Sequence, residues 1–287
     1  MRLLVFDVEG TIFKPCSISD DSPHASYIWT RIAKEIGAEA EELKTQREWE
    51  KGHYGSRESG ASYFDWVKET ISIHKSKGLM RETFDRIVDE AEYVDGVEKF
   101  FEQLNRELYI PILISGGIQN LSIRACKDLN IQKENSYAAC EYFFNNEKID
   151  EKLTFINTCN FFGKQEIVKI ALRKYGIGSD KWIFIGDGVN DVSIARQAPL
   201  SIGVGAISKS LKEVVDFSFK DYYELLDNSA LLEREGLVVS NGRSGRSKVS
   251  SDDFLPIIDT KQIFWDYSAK LKAEANTNVR IQMGNLH

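Results

Sequence analysis

The sequence contains few cysteines and no cysteine pair of the kind that holds metals. Its four cysteines are scattered along 287 residues, at Cys16, Cys126, Cys140 and Cys159. The absence of a Cys-x-x-Cys pair argues against a structural zinc site and against a disulfide scaffold. We therefore expect reduced thiols that pack as small apolar side chains.

Long apolar runs and an excess of basic residues are also missing. No stretch reaches the roughly 18 apolar residues that indicate a transmembrane helix, so we expect no membrane partner. The apolar start, residues 1–6, is too short for the core of a signal peptide, and a cytoplasmic location is expected. A formal net charge of −7 argues against nucleic acid as a partner, because phosphate backbones attract surplus Lys and Arg.

Short apolar runs alternate with helical patterns along much of the chain. The runs cover residues 3–6, 110–114, 182–185 and 200–204, and the helical patterns cover 97–105, 121–129, 165–175 and 192–196. This alternation predicts an α/β fold with a central parallel sheet of the Rossmann-like type. In such sheets the ligand crevice lies beyond the carboxyl ends of the strands.

A long insertion separates the first predicted strand from the next. Residues 14–93 contain helical patterns at 27–36, 40–50, 62–74 and 82–91. A mostly helical unit placed directly after the first strand would lie over the crevice as a cap. The predicted catalytic core therefore comprises residues 1–13 and 94–227, with the cap at 14–93.

Two further segments are interpreted from their turn and linker residues. Residues 136–144 and 147–156 are predicted to form a β-hairpin, since Asn145 and Asn146 tolerate the positive φ of a tight turn. Residues 228–287 form a C-terminal extension of unknown fold. It includes a basic, linker-like stretch at 240–248 and one possible helix at 257–272.

The first polar motif follows the first strand directly. Asp7 and Glu9 are separated by one residue and followed by Gly10 and Thr11. Such a pair can supply one nucleophile and one neighbouring acid or base. A carboxylate attacks phosphorus only when the charge of the phosphate is neutralised, which calls for a metal ion. Alone, the string is weak support, because Asp and Gly are common turn residues.

A second acidic motif follows the strand predicted at 182–185. Asp187 and Asp191 stand four residues apart in a glycine-containing turn before a helix, an arrangement that suits a hard cation such as Mg²⁺. Each acid also has a purely structural alternative. Asp191 could favour the dipole of the first helical turn, and Asp187 could cap that helix.

Two weaker signals complete the set. Ser115, Gly116 and Gly117 end another strand and could form a phosphate cradle from a hydroxyl and backbone N–H groups at a helix start. The alternative is an N-cap serine in a tight turn. Lys164 opens a helix, where a cation is unfavourable, so its amine is expected to have an anionic partner elsewhere.

Together these motifs resemble the haloacid dehalogenase superfamily of phosphotransferases, and within it the phosphoserine-phosphatase-like branch. The resemblance rests on residues 6–11, 115–117, 164 and 186–191, in the order of the family, and covers about residues 1–220. It implies a Rossmann-like core and a helical cap of the C1 type.

The resemblance also implies catalytic roles. Asp7 would attack phosphorus, and Glu9 would protonate the leaving oxygen and later activate water. Ser115, Gly116 and Lys164 would hold the phosphoryl oxygens. Positioning and charge neutralisation would then supply most of the reduction of the barrier.

The same resemblance implies a Mg²⁺ cofactor. Its ligands would be the Asp7 carboxylate, the backbone carbonyl of Glu9 and Asp187. Asp191 would orient Lys164 or the water shell of the metal.

Three residues bear on substrate identity. The acid two residues after the nucleophile is usually Asp in the family, whereas here it is Glu9, still a carboxylic acid. Phosphoserine phosphatases carry a cap Glu nine residues after the nucleophile, where this chain has Cys16. Arg57 could meet a substrate carboxylate, but a solvated arginine at a helix edge explains it better.

We therefore expect an enzyme, a phosphomonoesterase acting on a small phosphomonoester. Two alternatives stay open. A phosphatase could act on a macromolecule docked by residues 228–287, or the chain could be a non-catalytic binding or regulatory protein. The sequence indicates no oligomeric state.

Overall fold

The computed structural model describes residues 1–15, 28–55, 60–150, 154–156, 159 and 162–238. These residues contain a seven-stranded sheet with the strand order β6-β3-β2-β1-β7-β8-β9 and a separate pair, β4-β5. The strands are β1 Arg2–Phe6, β2 Tyr109–Ile118, β3 Ser136–Glu141, β4 Phe144–Asn145, β5 Lys148–Ile149, β6 Phe155–Ile156, β7 Trp182–Gly186, β8 Leu200–Val204 and β9 Phe217–Phe219. Neighbours in the large sheet pair in parallel except at β6, which runs antiparallel to β3.

Eleven α-helices surround the sheet in the described part of the chain. They are α1 Ile28–Glu35, α2 Glu39–Glu50, α3 Gly60–Ser76, α4 Arg81–Asp89, α5 Val97–Gln103, α6 Gln119–Asp128, α7 Phe162–Lys174, α8 Val192–Ala195, α9 Lys209–Lys212, α10 Tyr222–Asp227 and α11 Ser229–Glu235.

The central strands are continuous apolar runs because the sheet is covered on both faces. All five residues of β7 and of β8 are buried, and only the first residue of β1 is partly exposed. Strand β1 lies between β2 and β7, with Leu3 opposite both Ile110 and Trp182. The predicted α/β class and central parallel sheet are confirmed.

The predicted hairpin over 136–144 and 147–156 is confirmed in its turn and in the antiparallel pairing of its arms, but its first arm has a second partner. Strand β3, which begins at Ser136, pairs in parallel with β2 and belongs to the central sheet. Strands β4 and β5 pair next to the two-residue turn made by the positive φ values of Asn146 and Glu147 (47° and 68°), and farther from the turn β3 pairs antiparallel with β6, with Cys140 opposite Ile156. The local turn signal was correct, but long-range pairing with β2 determines where the preceding strand belongs.

Helices α1–α4, residues 28–89, form a unit that we call the helical insert. All four lie at the positions predicted from the sequence, within a few residues at each end. Helix α1 packs on α2 and α4, and α2 packs on α3. The boundaries of the predicted cap at 14 and 93 stay predictions.

The chain continues past Asp227 as an ordered part of the core. Helix α11 ends at Gly236, which has a positive φ of 64°, and Leu237 is completely buried. The rest of the predicted extension, with its basic stretch and possible helix, lies outside the described residues. Among those described, no helix has the length and apolar character that a membrane-spanning segment requires.

Candidate active site

Asp7 stands just beyond the carboxyl end of β1. Its backbone N–H continues the pairing with β7 by donating to the carbonyl of Ile185 at 2.9 Å, and its side chain is nearly buried. The loop then turns back sharply at Gly10, whose φ is +93°. A Cβ at Gly10 would overlap the carboxylate of Asp187, so glycine allows the two loops to approach.

The turn after β7 holds the second pair of acids. Asp191 Oδ2 accepts hydrogen bonds from the backbone N–H groups of Asp187 and Gly188, at 3.1 and 3.0 Å. Asp187 Oδ1 accepts from the hydroxyl of Thr11 at 2.8 Å, which joins this turn to the loop after β1. The side chains of Asp187, Asp191 and Thr11 are buried.

Lys164 lies between carboxylates in the interior. It is the third residue of α7 and its side chain has no exposed surface. Its Nζ donates to Asp7 Oδ1 and, at 2.6 Å, to Asp191 Oδ1. Burial alone would lower the pKa of Lys164, but attraction to Asp191 and Asp7 outweighs burial and raises it. The predicted anionic partners are therefore present.

Three buried aspartates surround the single ammonium of Lys164. Oxygens of Asp7, Asp187 and Asp191 lie within 4.8 Å of one another. Burial raises the pKa of Asp7 to about 7, and burial together with the other two aspartates raises that of Asp187 well above its usual value. Were all three carboxylates ionised, the one ammonium would leave two negative charges uncompensated, and the raised pKa values reflect this cost. A divalent cation with oxygen ligands would fit this site.

Glu9 is oriented by the helical insert. Its Oε2 accepts a hydrogen bond from the backbone N–H of Ile28, the first residue of α1, at 2.8 Å. Loss of hydration raises the pKa of Glu9 to about 7, although the bond from Ile28 opposes this shift. A Cβ at Gly117 would collide with Glu9 Oε1, so glycine also makes room for this carboxylate.

Ser115 and the two glycines after it still belong to strand β2. The pairing of β2 with β3 is irregular between Ser115 and Ile118, and α6 starts only at Gln119. These residues therefore end a strand as predicted, and the helix begins two residues after Gly117; the N-cap alternative for Ser115 is wrong, because Ile118 holds that position. Ser115 Oγ accepts from the N–H of Gly117 at 2.9 Å, which leaves its own hydroxyl proton available as a donor.

The sequence profile of the haloacid dehalogenase-like hydrolases matches residues 1–199, more than half of the chain. The chain belongs to this family. The predicted superfamily is thereby confirmed, as is the prediction of an enzyme of the hydrolase class.

Curated relatives of this hydrolase include two archaeal phosphoserine phosphatases. The chain is 27% identical over 225 residues to that of Archaeoglobus fulgidus, and the match covers 76% of this chain and 56% of that protein. It is 25% identical over 232 residues to that of Methanocaldococcus jannaschii, covering 78% and 96% of the two chains. The predicted likeness to the phosphoserine phosphatase branch is confirmed.

Solved structures with the same fold include two phosphoserine phosphatases. One is a phospho-aspartyl intermediate analogue, with a TM-score of 0.59, 20% identity and coverage of 79% of this hydrolase and 97% of that chain. The other is an apo form, with a TM-score of 0.60, 20% identity and coverage of 79% and 98%. At this identity the likeness speaks to the fold alone.

The structure brings most of the predicted site residues of the hydrolase together and leaves two unplaced. Asp7, Glu9, Ser115, Gly116, Lys164, Asp187 and Asp191 all lie at or next to the carboxyl ends of β1, β2 and β7 or at the start of α7. Arg57 and Cys16 lie outside the described residues.

Sequence reasoning missed two residues at the site. Thr11 was part of the first motif, but its bond to Asp187 depends on a turn 176 residues away. Tyr63 lies on α3 of the helical insert, near Trp49 and Trp66. It does pack on both rings, at 5.7 and 5.4 Å between centroids, yet its hydroxyl also donates to the carbonyl of Gly116. Aromatic spacing on a helix gives no signal for that bond.

Proposed function

We propose that this hydrolase is a Mg²⁺-dependent phosphatase that cleaves a small phosphomonoester through a phospho-aspartyl intermediate on Asp7. One observation carries the proposal: a buried carboxylate at the end of β1 is paired with Lys164 and clustered with two further aspartates. Structural ion pairs have no need for three buried acids around one ammonium, because each uncompensated charge lowers stability.

Asp7 is suited to nucleophilic attack by its hydrogen bonding. Lys164 occupies Oδ1 of Asp7, so Oδ2 is the oxygen that would attack phosphorus. The attack would form an Oδ2–P bond and break the bond between phosphorus and the ester oxygen. Ser115, Gly116 and Lys164 are proposed to hold the phosphoryl oxygens while the charge redistributes.

Glu9 is proposed as the general acid and base. With a pKa of about 7 it can be protonated before the leaving oxygen departs and ionised afterwards. It would give its proton to the leaving alkoxide, then take one from the water that attacks the aspartyl phosphate. Replacement of the usual Asp by the longer Glu is accommodated here, since Gly117 leaves room for Oε1 and Ile28 fixes Oε2.

A divalent cation would be held by the Asp7 carboxylate, the backbone carbonyl of Glu9 and Asp187. Bound there, Mg²⁺ would offset negative charge on the phosphate and on the acids around it. Asp191 accepts two backbone hydrogen bonds and the Lys164 ion pair, so its role would be to hold Lys164 in place.

A small substrate is favoured by how the helical insert meets the site. Ile28 and Tyr63 both bond to groups beside Asp7, namely Glu9 and the Gly116 carbonyl. An insert in this position would exclude water from the first step. Phosphoserine is the first candidate, because the curated relatives are phosphoserine phosphatases. The macromolecular and non-catalytic alternatives gain no support from the described contacts.

The experiment is phosphate release from a panel of small phosphomonoesters that includes phosphoserine. Wild type is compared with Asp7→Asn, each with Mg²⁺ and with a chelator. We expect turnover that requires Mg²⁺ and falls by at least about 10³-fold in Asp7→Asn. Absence of turnover in folded wild type with Mg²⁺ would contradict the proposal.

A further inference from the structure

Two chain segments connect the helical insert to the core, and they run side by side. The N–H of Lys14 donates to the carbonyl of Glu92 at 2.7 Å, and the N–H of Val94 donates to the carbonyl of Ile12 at 2.9 Å. The rings of Phe13 and Tyr93 stack with their centroids 4.6 Å apart. On the side of the core, the two connections are therefore paired with each other at residues 12–14 and 92–94.

One core side chain, Arg124 of α6, contacts both segments at once. Its guanidinium lies 5.2 Å from the centroid of the Phe13 ring and 5.2 Å from that of Tyr93. Its Nη1 donates to the carbonyls of Val88 and Ala91, at 2.6 and 2.7 Å. These carbonyls belong to the end of α4 and to the segment just after it, and that of Val88 also accepts from the N–H of Ala91 at 3.4 Å.

Asp128 ties Arg124 and the second connection together. Arg124 Nε lies 3.4 Å from Asp128 Oδ2, and the Tyr93 hydroxyl donates to the same oxygen at 2.8 Å. The guanidinium is therefore held by a carboxylate one turn away on its own helix. At the same time it contacts the rings of Phe13 and Tyr93, and its Nη1 donates to the two carbonyls. A planar guanidinium with several N–H donors can make all of these contacts. The ammonium of a lysine cannot make both the hydrogen bonds and the contact with the aromatic rings.

The first connection leads directly to Glu9. The N–H of Phe13 donates to the Val8 carbonyl at 3.0 Å, and the Phe13 carbonyl accepts from Gly10 at 2.7 Å. Phe13 is also bridged to Glu9 through the backbone. A shift of the Phe13 ring therefore moves the loop that carries the proposed acid and base, and it moves Glu9 relative to Ile28.

We propose that Arg124 is a positioning residue, which sets the orientation of the helical insert against the core by clamping both connections and the end of α4. This proposal rests on the proposed phosphatase function for its effect on turnover. Arg124 touches none of the reacting groups. It acts through Phe13 and α4 on the two contacts that the insert makes with the site, Ile28 with Glu9 and Tyr63 with Gly116.

The chain contains a matched control, Arg106. Its guanidinium lies 5.6 Å from the Phe101 ring centroid, and its Nη1 and Nη2 donate to the carbonyls of Asn130 and Leu129, at 3.1 and 2.8 Å. It thus stacks on an aromatic ring and bonds two carbonyls at the end of a helix, like Arg124, but all of its partners belong to the core.

The test compares Arg124→Lys with Arg106→Lys in the full chain. Both variants lose the hydrogen bonds of one guanidinium to two backbone carbonyls, so similar losses in melting temperature are expected. Steady-state kinetics with the best ester and Mg²⁺ should show that Arg124→Lys alters both kcat and KM. The ratio kcat/KM should fall by about tenfold. Arg106→Lys should keep the wild-type kcat/KM.

A second readout is independent of turnover. Amide hydrogen exchange should become faster in residues 28–55, 60–76 and 81–94 of Arg124→Lys, with β1 and β7 unchanged. Arg106→Lys should show no such increase. If Arg124→Lys matches Arg106→Lys in exchange or in kcat/KM, the proposal is overturned. If the wild type hydrolyses no ester, the proposed function fails, and the exchange comparison alone decides the role of Arg124.

Discussion

Strand β1 has a polar network at each end, and the two networks are built in different ways. At the amino end, Arg2 Nη1 donates to Glu235 Oε2 at 2.6 Å and to the Tyr109 hydroxyl at 3.0 Å. The Tyr109 hydroxyl in turn donates to the carbonyl of Glu235 at 2.7 Å. Arg234 Nε also pairs with Glu235 Oε1 at 2.9 Å, so two cations meet one anion, and all three side chains keep some contact with water.

At the carboxyl end the acids outnumber the cations instead. Lys164 is enclosed with Asp7, Asp187 and Asp191, and all four side chains are almost completely withdrawn from solvent. Burying an uncompensated charge lowers the stability of a folded protein. The same strand therefore begins in a network that joins β1 to helix α11 and ends in one that a further cation would complete. The two networks differ in contact with water: the excess charge at the amino end is partly solvated, whereas the excess of acids at the carboxyl end is buried.

The largest effect that would sharpen this comparison is expected from Lys164→Gln. Removing the one ammonium should lower the unfolding free energy by about 3–5 kcal/mol in metal-free buffer, the range for breaking a buried pair. Added Mg²⁺ should recover part of this loss. Urea denaturation with and without Mg²⁺ measures both. A variant as stable as wild type would show that the buried acids are neutral and that the imbalance does not exist.

The next effect is stabilisation of the wild type by Mg²⁺. A metal that binds only the folded state adds about 2.7 kcal/mol at 100 times its Kd, so the melting temperature should rise with Mg²⁺ concentration. Asp187→Asn should reduce this rise strongly, because it removes one of the proposed ligands. Glu235→Gln, at the other end of β1, serves as the control and should respond to Mg²⁺ as wild type does.

The pH dependence of stability should have opposite signs at the two ends. Burial raises the pKa of Glu9 to about 7, so the folded state holds a proton that the unfolded state releases above about 4.5. Metal-free wild type should therefore lose stability relative to Glu9→Gln as the pH rises towards 7.

At the amino end the linkage is reversed. Partial burial opposes the shift, but hydrogen bonds from Arg2 and Arg234 lower the pKa of Glu235. Wild type should therefore lose stability relative to Glu235→Gln as the pH falls below about 4.5. Denaturation between pH 3.5 and 8 measures both differences. If the two stability differences changed with pH in the same direction, the predicted contrast between the two ends would be wrong.

The smallest effect is expected from Arg2→Gln. The network is partly solvated, so its loss should cost about 1 kcal/mol of unfolding free energy. Phosphate release by this variant should equal that of wild type, since Arg2 and Asp7 lie at opposite ends of β1. A clear loss of kcat would show that the two ends are coupled.

The site could be predicted from the sequence where its parts are local. Asp7, Asp187 and Lys164 each stand beside the end of a strand or the start of a helix, and parallel strands bring such positions to one edge of the sheet. The family motifs then fixed which acids belong together. Four of the core strands were predictable for the same reason, because buried parallel strands are continuous apolar runs.

The contacts between the helical insert and the core were not predictable. The bond from Ile28 to Glu9 uses a backbone N–H, and no side chain at position 28 signals it. Tyr63 and Arg124 look like ordinary members of amphipathic helices, and their partners are set by how separate elements pack. The parallel pairing of β3 with β2 was missed for a related reason, since β2 lies earlier in the chain than the turn that was recognised.

The paired connection at Phe13 and Tyr93 has a consequence for the order of folding. Strands β1 and β2 are neighbours in the sheet although the whole helical insert separates them in sequence. If the insert forms first and its ends are already held together, the chain still to be closed between the two strands is roughly fivefold shorter. By the logarithmic dependence of loop entropy on length, this lowers the cost of the first parallel pairing by about 1.4 kcal/mol. Refolding should then be slowed by substitutions that loosen the Phe13–Tyr93 stack, even though neither ring lies between the strands that pair.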